Sequence, residues 1–163
     1  MKIIPYLPFI SFIMFTLYLL FIITRFKELK SISESFYRLD KKWIGLFTLA
    51  IWSFTIPIVV YAESGLLFFA GAFVAIVGAA PSFKLKHERL PHFVGATGGI
   101  IFGFISLIID YNAIHAVISG TLLIGIAVMF FEKQKVLIVE VIAFYTIIIP
   151  LMFDSCNKYF INL

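Results

Sequence analysis

The sequence predicts an all-α, polytopic membrane protein, and three observations carry this prediction. The mean hydropathy is +1.07, with 62% hydrophobic and 13% charged residues, which is too few charges to cover a water-soluble domain. The apolar residues fall into six stretches of about the length that a helix needs to cross the hydrocarbon. These stretches are apolar on all sides and lack the alternation of barrel strands. We therefore predict one domain over residues 1–163, a bundle of six transmembrane helices.

The ends of the apolar stretches define the predicted spans. The third and fourth stretches are rich in small residues and lie near the short limit for a span. No linker or low-complexity tract divides the chain. The six spans are Ile3–Thr24, Trp43–Tyr61, Gly65–Phe83, Phe93–Ile109, Ala113–Phe131 and Val136–Phe153.

Basic residues orient the predicted bundle. Eleven of the thirteen Lys and Arg residues follow spans one, three and five, and the opposite side has only Lys2 and Lys158. Because cytoplasmic loops carry an excess of Lys and Arg, we expect these three loops in the cytoplasm and both termini outside. This predicts a multi-pass protein of the cell membrane, of the bacterial inner-membrane type. The net charge of +4 then indicates contact with anionic lipid headgroups and no nucleic-acid partner.

The connection after the first span, Arg25–Lys42, contains a helix-start pattern. Ser31 is followed three residues later by Glu34, which is the spacing of a capping box, so we expect a short interfacial helix over about Ile32–Leu39. The apolar side chains expected on the membrane surface are Phe26, Leu29, Phe36 and Leu39. Capping accounts for the pattern by itself. The functional alternative is contact with a headgroup or a reacting centre by the hydroxyls of Ser31, Ser33 and Tyr37.

Small residues recur at every fourth position in two neighbouring spans. The third span contains Gly71, Ala75 and Ala79, and the fourth contains Gly95, Gly99 and Gly103. Because small residues let helix backbones approach closely, and because a short loop joins these spans, we predict that they form the tightly packed centre of the bundle. His92 precedes the three glycines of span four by three, seven and eleven positions, so we expect it near the same face.

Glu140 is the most informative single residue, since it lies five positions into the sixth span. A carboxylate facing lipid there is costly, so we expect it to face the protein interior or a water-filled notch. The alternative is snorkelling to the headgroups, or pairing with Lys133 or Lys135. Three distant segments would then converge on the cytoplasmic side. The predicted ligand-binding residues are Ser31, Ser33, Tyr37, His92 and Glu140.

Short motifs extend over about residues 31–145. They are Ser31-Ile32-Ser33 with Phe36-Tyr37, Pro81 near the end of the third span, His92-Phe93 with Ala96 and Phe102, and Glu140 early in the last span. This pattern resembles a broad group of small bacterial six-span membrane proteins of unknown function. That group is remotely similar to the CREST membrane hydrolase superfamily, whose members use Ser, Asp and several His to bind zinc and cleave lipid amides. The resemblance implies a polar cluster of Ser33, Tyr37, His92 and Glu140.

Three classes of function follow from these residues. The first is a binding protein that holds a small polar ligand or a lipid headgroup in a cytoplasmic-side pocket. The second is a membrane hydrolase with a metal-activated water, which needs three converging ligands such as His87, His92 and Glu140, although their spacing matches no standard metal motif. The third is a structural or assembly subunit of a membrane complex. A transporter is disfavoured because no span is broken midway.

The sequence defines cofactors and partners less well than it defines the membrane topology. The sequence assigns no cofactor, and it leaves the choice between enzyme and binding protein open. We expect membrane lipids as partners, with a second copy of the chain or a membrane-complex subunit as further alternatives.

Overall fold

The computed structural model describes residues 3–26, 28–130 and 134–161. These ranges contain α-helices, short 3₁₀ and π turns, and no strand, so the predicted all-α class is confirmed. The helices of this part of the chain are α1 (Leu7–Arg25), α2 (Ser35–Arg38), α3 (Gly45–Tyr61), α4 (Gly65–Ala79), α5 (Lys86–Ile109), α6 (Ile114–Phe130) and α7 (Lys135–Cys156). Predictions that involve Lys2, Lys27, Phe131 or Lys133 lie outside the described residues.

Four helical segments of the described chain are long and apolar enough to cross a membrane. They are Ile4–Arg25, Lys41–Tyr61, Lys86–Ile109 and Lys135–Phe160. The helices α4 and α6 are also apolar, but they have 15 and 17 residues. At 1.5 Å per residue they extend about 23 and 26 Å, against about 30 Å of hydrocarbon. The architecture is therefore compatible with a multi-pass membrane protein that has four long apolar helices.

Several helix ends differ from the predicted spans, among them the two that border the connection between α4 and α5. The helix α4 ends at Ala79 and not at Phe83, and the α conformation is disfavoured for Ala80 because it precedes Pro81. The helix α5 begins at Lys86, seven residues before the predicted start at Phe93, because the intervening Lys, Glu and Arg are good helix formers. Hydropathy marks where the chain becomes apolar, which is not where a helix begins or ends.

The helices α1 and α7 run antiparallel, and this defines two ends of the bundle. At one end the Ser155 Oγ donates a hydrogen bond to the carbonyl of Pro5 (2.6 Å). At the other end the N–H of Leu137 donates to the carbonyl of Lys30 (2.8 Å). We refer to residues 28–44 as loop one, to their end of the bundle as the loop-one end, and to the end that contains Ser155 as the terminal end.

Each end contains its own cluster of buried apolar side chains. At the loop-one end the cluster combines side chains of loop one with those of the helices, among them Phe15, Ile22, Leu29, Ile32, Phe36 and Phe47. At the terminal end it is formed by Leu7, Ile58, Tyr61, Leu67, Leu107, Ile148 and Leu151. Loop one is therefore part of the hydrophobic core.

The glycines of α5 allow close approach of neighbouring helices. The contact between α4 and α5 is the most extensive among the described helices. A Cβ at Gly95 would lie 2.6 Å from the carbonyl oxygen of Phe73 in α4, and Gly99 is similarly close to α4. A Cβ at Gly103 would lie 2.5 Å from Ile147 of α7. Ordinary carbon contacts are about 3.5–4.0 Å, so larger residues at these positions would push the helices apart.

The small-residue row of the third span faces a different neighbour from the one expected. A Cβ at Gly71 would lie 2.5 Å from Val59 of α3. The carbonyl of Ala75 accepts a hydrogen bond from the indole of Trp52 in α3 (3.1 Å), and Ala79 is exposed. This row therefore packs toward α3, whereas adjacent positions of α4, rotated by 100° per residue, pack against α5.

Candidate functional site at the loop-one end

Loop one enters the bundle instead of lying on its surface. Leu29, Ile32 and Phe36 are 2%, 7% and 9% exposed, and Phe26 and Leu39 pack partly buried against the same cluster. The expected placement of these side chains on the membrane surface is therefore corrected. Contact with the helices on several sides removes more apolar area from water than one-sided contact with the interface would.

The helix of loop one is shorter than the predicted Ile32–Leu39. A turn comes first, and α2 covers Ser35–Arg38. The capping box forms in part, because the N–H of Glu34 donates to Ser31 Oγ (3.1 Å). Glu34 Oε2 reaches back one residue further than expected and accepts from the N–H of Lys30 (2.6 Å). Ser31 thus acts as a cap of the turn.

Glu34 also forms an ion pair with Arg38 across one helical turn (3.2 Å). Burial by itself would raise the pKa of the Glu34 carboxyl. The hydrogen bonds from Lys30 and Arg38, together with the positive charges of these residues, outweigh burial and hold that pKa below its ordinary value of 4.5. The carboxylate form of Glu34 therefore stabilises the turn.

Glu140 of α7 anchors loop one to the bundle. Its Oε2 accepts a hydrogen bond from the backbone N–H of Ile32 (2.6 Å), across 108 positions of sequence. The carboxylate therefore faces the protein interior, one of the two placements that the sequence allowed, while Lys135 is exposed at the start of the helix. A carboxylate has about four lone-pair positions, so Glu140 retains acceptor capacity beyond this bond.

A cavity of about 110 Å³ lies beside the Glu140 carboxylate. Its polar lining side chains are Glu140 and Ser33, and the rest of the lining is apolar, including the rings of Phe15, Phe54 and Phe144. One water needs about 10–15 Å³, whereas sites for drug-sized ligands are about 300–1,000 Å³. The cavity can therefore hold a small molecule with a limited polar part. We call it the Glu140 cavity.

Tyr37 and His92 meet around a third aromatic ring, that of Phe83. The ring centroid of Phe83 lies 5.2 Å from that of Tyr37 and 4.9 Å from that of His92. The Tyr37 hydroxyl accepts a hydrogen bond from the N–H of Lys84 (2.7 Å). The buried His92 places Nδ1 2.9 Å from the carbonyl of Ala80, and because a carbonyl only accepts, Nδ1 carries the proton. These contacts hold loop one against the connection between α4 and α5.

The five predicted ligand-binding residues thus divide into two groups. Ser33 and Glu140 line the cavity. Ser31, Tyr37 and His92 make contacts that shape loop one and its neighbour. The segments that contain them are distant in sequence and meet at the loop-one end.

A zinc site, which the remote hydrolase resemblance implies, does not fit these residues. Within the described chain, no three His, Cys, Asp or Glu side chains are grouped so that they could hold a metal ion. His87 is exposed and lies 3.6 Å from the carboxylate of Glu88, while His92 and Glu140 have separate partners. Zinc in proteins has at least three protein ligands, so His87, His92 and Glu140 do not form such a site.

A buried hydroxyl pair formed by Tyr18 and Ser35 was not predicted from the sequence. Their oxygens are 2.7 Å apart, and Ser35 Oγ donates to the carbonyl of Ile32 (2.6 Å), so Tyr18 is the donor to Ser35. A tyrosine in an apolar span needs a partner for its hydroxyl, and that signal could have identified Tyr18. The pair fixes the segment that presents Ile32 and Ser33 to the Glu140 cavity.

Comparison with protein-family models, with curated proteins and with solved structures finds no match to this chain. The fold and the site define its class from geometry alone. It is an α-helical protein compatible with multi-pass membrane insertion, with a small, largely apolar cavity bordered by one carboxylate and one hydroxyl.

Proposed function

We propose that this chain is an integral membrane binding protein and that its ligand is a small amphiphile. The observation that carries this proposal is the Glu140 cavity of about 110 Å³, whose polar side chains are Glu140 and Ser33. The apolar lining favours a short hydrocarbon body. The carboxylate and the hydroxyl favour a polar group that donates hydrogen bonds. The sequence predicted a small polar ligand, and the lining of the cavity favours one that has an apolar body and a small polar end.

The charge of the polar end follows from Glu140. A ligand carboxylate beside it would place two like charges in an environment of low dielectric constant, which is strongly unfavourable. A primary ammonium would form a charge-assisted hydrogen bond with the remaining lone pairs of the Glu140 carboxylate, while the Ser33 hydroxyl accepts a second bond. Short primary alkylamines are therefore the ligand class that we favour.

We propose a six-span topology in which this cavity is on the cytoplasmic side. The support is the distribution of Lys and Arg along the sequence, since eleven of the thirteen follow spans one, three and five, together with the apolar composition of the shorter α4 and α6. Cys156, at the terminal end, should then react with a membrane-impermeant maleimide added outside intact cells. Labelling only after membrane disruption would reverse the proposed orientation.

The test of ligand binding compares hexylamine, hexanol and hexanoate as probes. Thermal unfolding of the purified full chain in detergent is measured at increasing probe concentration, since a ligand that binds the folded state raises the midpoint. Hexylamine is expected to give the largest rise, hexanol a smaller one and hexanoate none. Equal shifts for all three probes would contradict the proposal, because they would report insertion into the micelle.

Two variants and a matched control test whether the rise in the thermal midpoint comes from binding in the Glu140 cavity. Glu140→Gln keeps the side-chain volume and removes the charge, and Ala96→Ile fills part of the cavity without changing charge. Both are expected to remove the hexylamine shift. Glu63→Gln, an equal charge change at the terminal end, should retain it. Zinc bound stoichiometrically to protein purified without chelators would instead support the hydrolase hypothesis.

A further inference from the structure

A second cavity, of about 270 Å³, lies where loop one meets the adjoining ends of α1 and α3. It shares no lining residue with the Glu140 cavity among the residues that the structure describes. Its charged lining residues are Arg25, Arg38 and Asp40, and its apolar lining includes Phe21, Trp43 and Leu46. We call it the Arg25 cavity.

The charged groups of the Arg25 cavity have both signs. Arg38 donates through Nη2 to the Glu34 carboxylate (3.2 Å) and to the carbonyl of Glu28 (3.4 Å). Because a guanidinium has five N–H donors, it retains donors for a further partner. Arg25, the last residue of α1, makes no ion pair with any described residue. The carboxylate of Asp40 adds a negative charge to the same lining. Two guanidinium groups beside one carboxylate complement a ligand that is itself a zwitterion.

The side of the cavity toward the helices is apolar and exposed. Phe21 of α1 is 40% exposed and Leu17, one turn earlier, is 58% exposed. On α3, Leu49 lies one turn beyond Leu46 and is 65% exposed. Trp43 is 54% exposed, as is typical of a residue at the boundary between headgroups and hydrocarbon. A ligand with its polar part in the cavity therefore meets lipid-facing helix surfaces with its remainder.

We infer that the Arg25 cavity binds the head of a phospholipid that carries a phosphate and a primary ammonium, as in phosphatidylethanolamine. The guanidinium groups of Arg25 and Arg38 bind the phosphate oxygens, for which planar, charged donors are well suited. Asp40 accepts hydrogen bonds from the ammonium. The acyl chains lie along the apolar surfaces next to Phe21 and Leu46.

The presence of Asp40 distinguishes this headgroup from two common relatives. Phosphatidylglycerol has a phosphate but no cation for the carboxylate. Phosphatidylcholine has a cation, but its trimethylammonium group has no N–H to donate. The predicted order of affinity is therefore ethanolamine first, with glycerol and choline headgroups weaker.

The test is native mass spectrometry of the full chain, released from detergent after incubation with equal amounts of the three lipids with identical acyl chains. The wild type is expected to retain one phosphatidylethanolamine in preference to the other two lipids by about fivefold, as expected for a charge-assisted hydrogen bond at a partly exposed site. Asp40→Asn should abolish that preference and shift retention toward phosphatidylglycerol. Arg25→Gln should weaken retention of all three lipids.

Control measurements make each outcome decisive. Arg89→Gln removes a cation that lies against Phe93, outside the Arg25 cavity, and should leave the preference unchanged. Should Arg25→Gln fail to fold, Asp40→Asn alone still tests the selectivity. Equal retention of the three lipids by the wild type, or an unchanged preference in Asp40→Asn, would overturn the inference. Displacement of the bound lipid by soluble glycerophosphoethanolamine would overturn the lipid as the ligand, because the soluble headgroup would then suffice.

Discussion

The two ends of the bundle satisfy their carboxylates in different ways. At the loop-one end, Glu140 accepts a hydrogen bond from the backbone N–H of Ile32 and borders a cavity. At the terminal end, Asp154 accepts from the hydroxyl of Tyr61 (2.7 Å) and pairs with the ammonium of Lys158 (3.0 Å). Both acids lie on α7. We therefore propose a ligand site beside Glu140, whose carboxylate retains acceptor capacity that faces a cavity, and none beside Asp154.

The network at the terminal end extends beyond Asp154. Lys158 also contacts the carboxylate of Glu63 (2.8 Å), and Asp110 accepts hydrogen bonds from the hydroxyls of Ser64 and Ser106. These bonds join the connection between α3 and α4 to the ends of α5 and α7. Their partners are side chains within the chain itself, which indicates a structural role for this end.

Among variants at the two ends, Glu140→Leu at the loop-one end is expected to have the largest effect. Membrane insertion should be unaffected, because the change favours lipid. The N–H of Ile32 loses its acceptor at a cost of about 1–3 kcal/mol, so loop one should detach more often. Tryptic cleavage after Arg38 and Lys41 in loop one should accelerate about tenfold.

Membrane insertion and tryptic cleavage are measured on the same preparation of Glu140→Leu. Cleavage at the wild-type rate would show that the apolar contacts of loop one hold it without Glu140. In that case Glu140 would not be the anchor of loop one, and the loop-one end would not depend on its carboxylate.

A smaller effect of a different kind is expected for Asp154→Asn. The change weakens the pair with Lys158 and keeps an acceptor for Tyr61, so the free energy of unfolding should fall by about 1 kcal/mol. The thermal midpoint should decrease, and tryptic cleavage of loop one should stay at the wild-type rate. Faster cleavage of loop one in this variant would mean that the two ends are coupled in a single cooperative network.

Part of the fold could be predicted from sequence because the apolar stretches are long and uniform. Their hydropathy identifies the all-α class and the four long helices. The inward direction of Glu140 follows from the cost of a carboxylate in lipid. The docking of loop one could not be predicted, because the pattern of Leu29 and Phe36 suits a membrane surface as well as a protein core. Only the tertiary partners on the helices, such as Phe15 and Phe47, decide between them.

The rows of small residues in α4 and α5 also show that a sequence pattern does not identify the tertiary neighbour. A repeat of four residues identifies a narrow face of a helix but not the neighbour that it faces. Gly95 and Gly99 of α5 contact α4, whereas Gly71 contacts Val59 of α3. The spacing is identical in both helices, so the neighbour is determined by the arrangement of the whole bundle.

The smallest expected effect is a dependence of loop one on pH. Burial opposes the charged form of Glu34, but its bonds with Lys30 and Arg38 prevail and hold the Glu34 pKa below the ordinary value of 4.5. A carboxyl whose pKa is lower in the folded state contributes stability that is fully present above the unfolded value and is lost as the pH falls through the folded value. Loop one should therefore loosen on acidification below pH 4.5. The effect should stay under about 1 kcal/mol, because the pair with Arg38 is partly exposed and screened.

The fluorescence emission of Trp43, next to loop one, reports this change. The chain has two tryptophans, so Trp52→Phe is used to isolate the Trp43 signal. Glu34→Gln should remove the acid transition, and a transition that persists in that variant would assign it to another carboxyl.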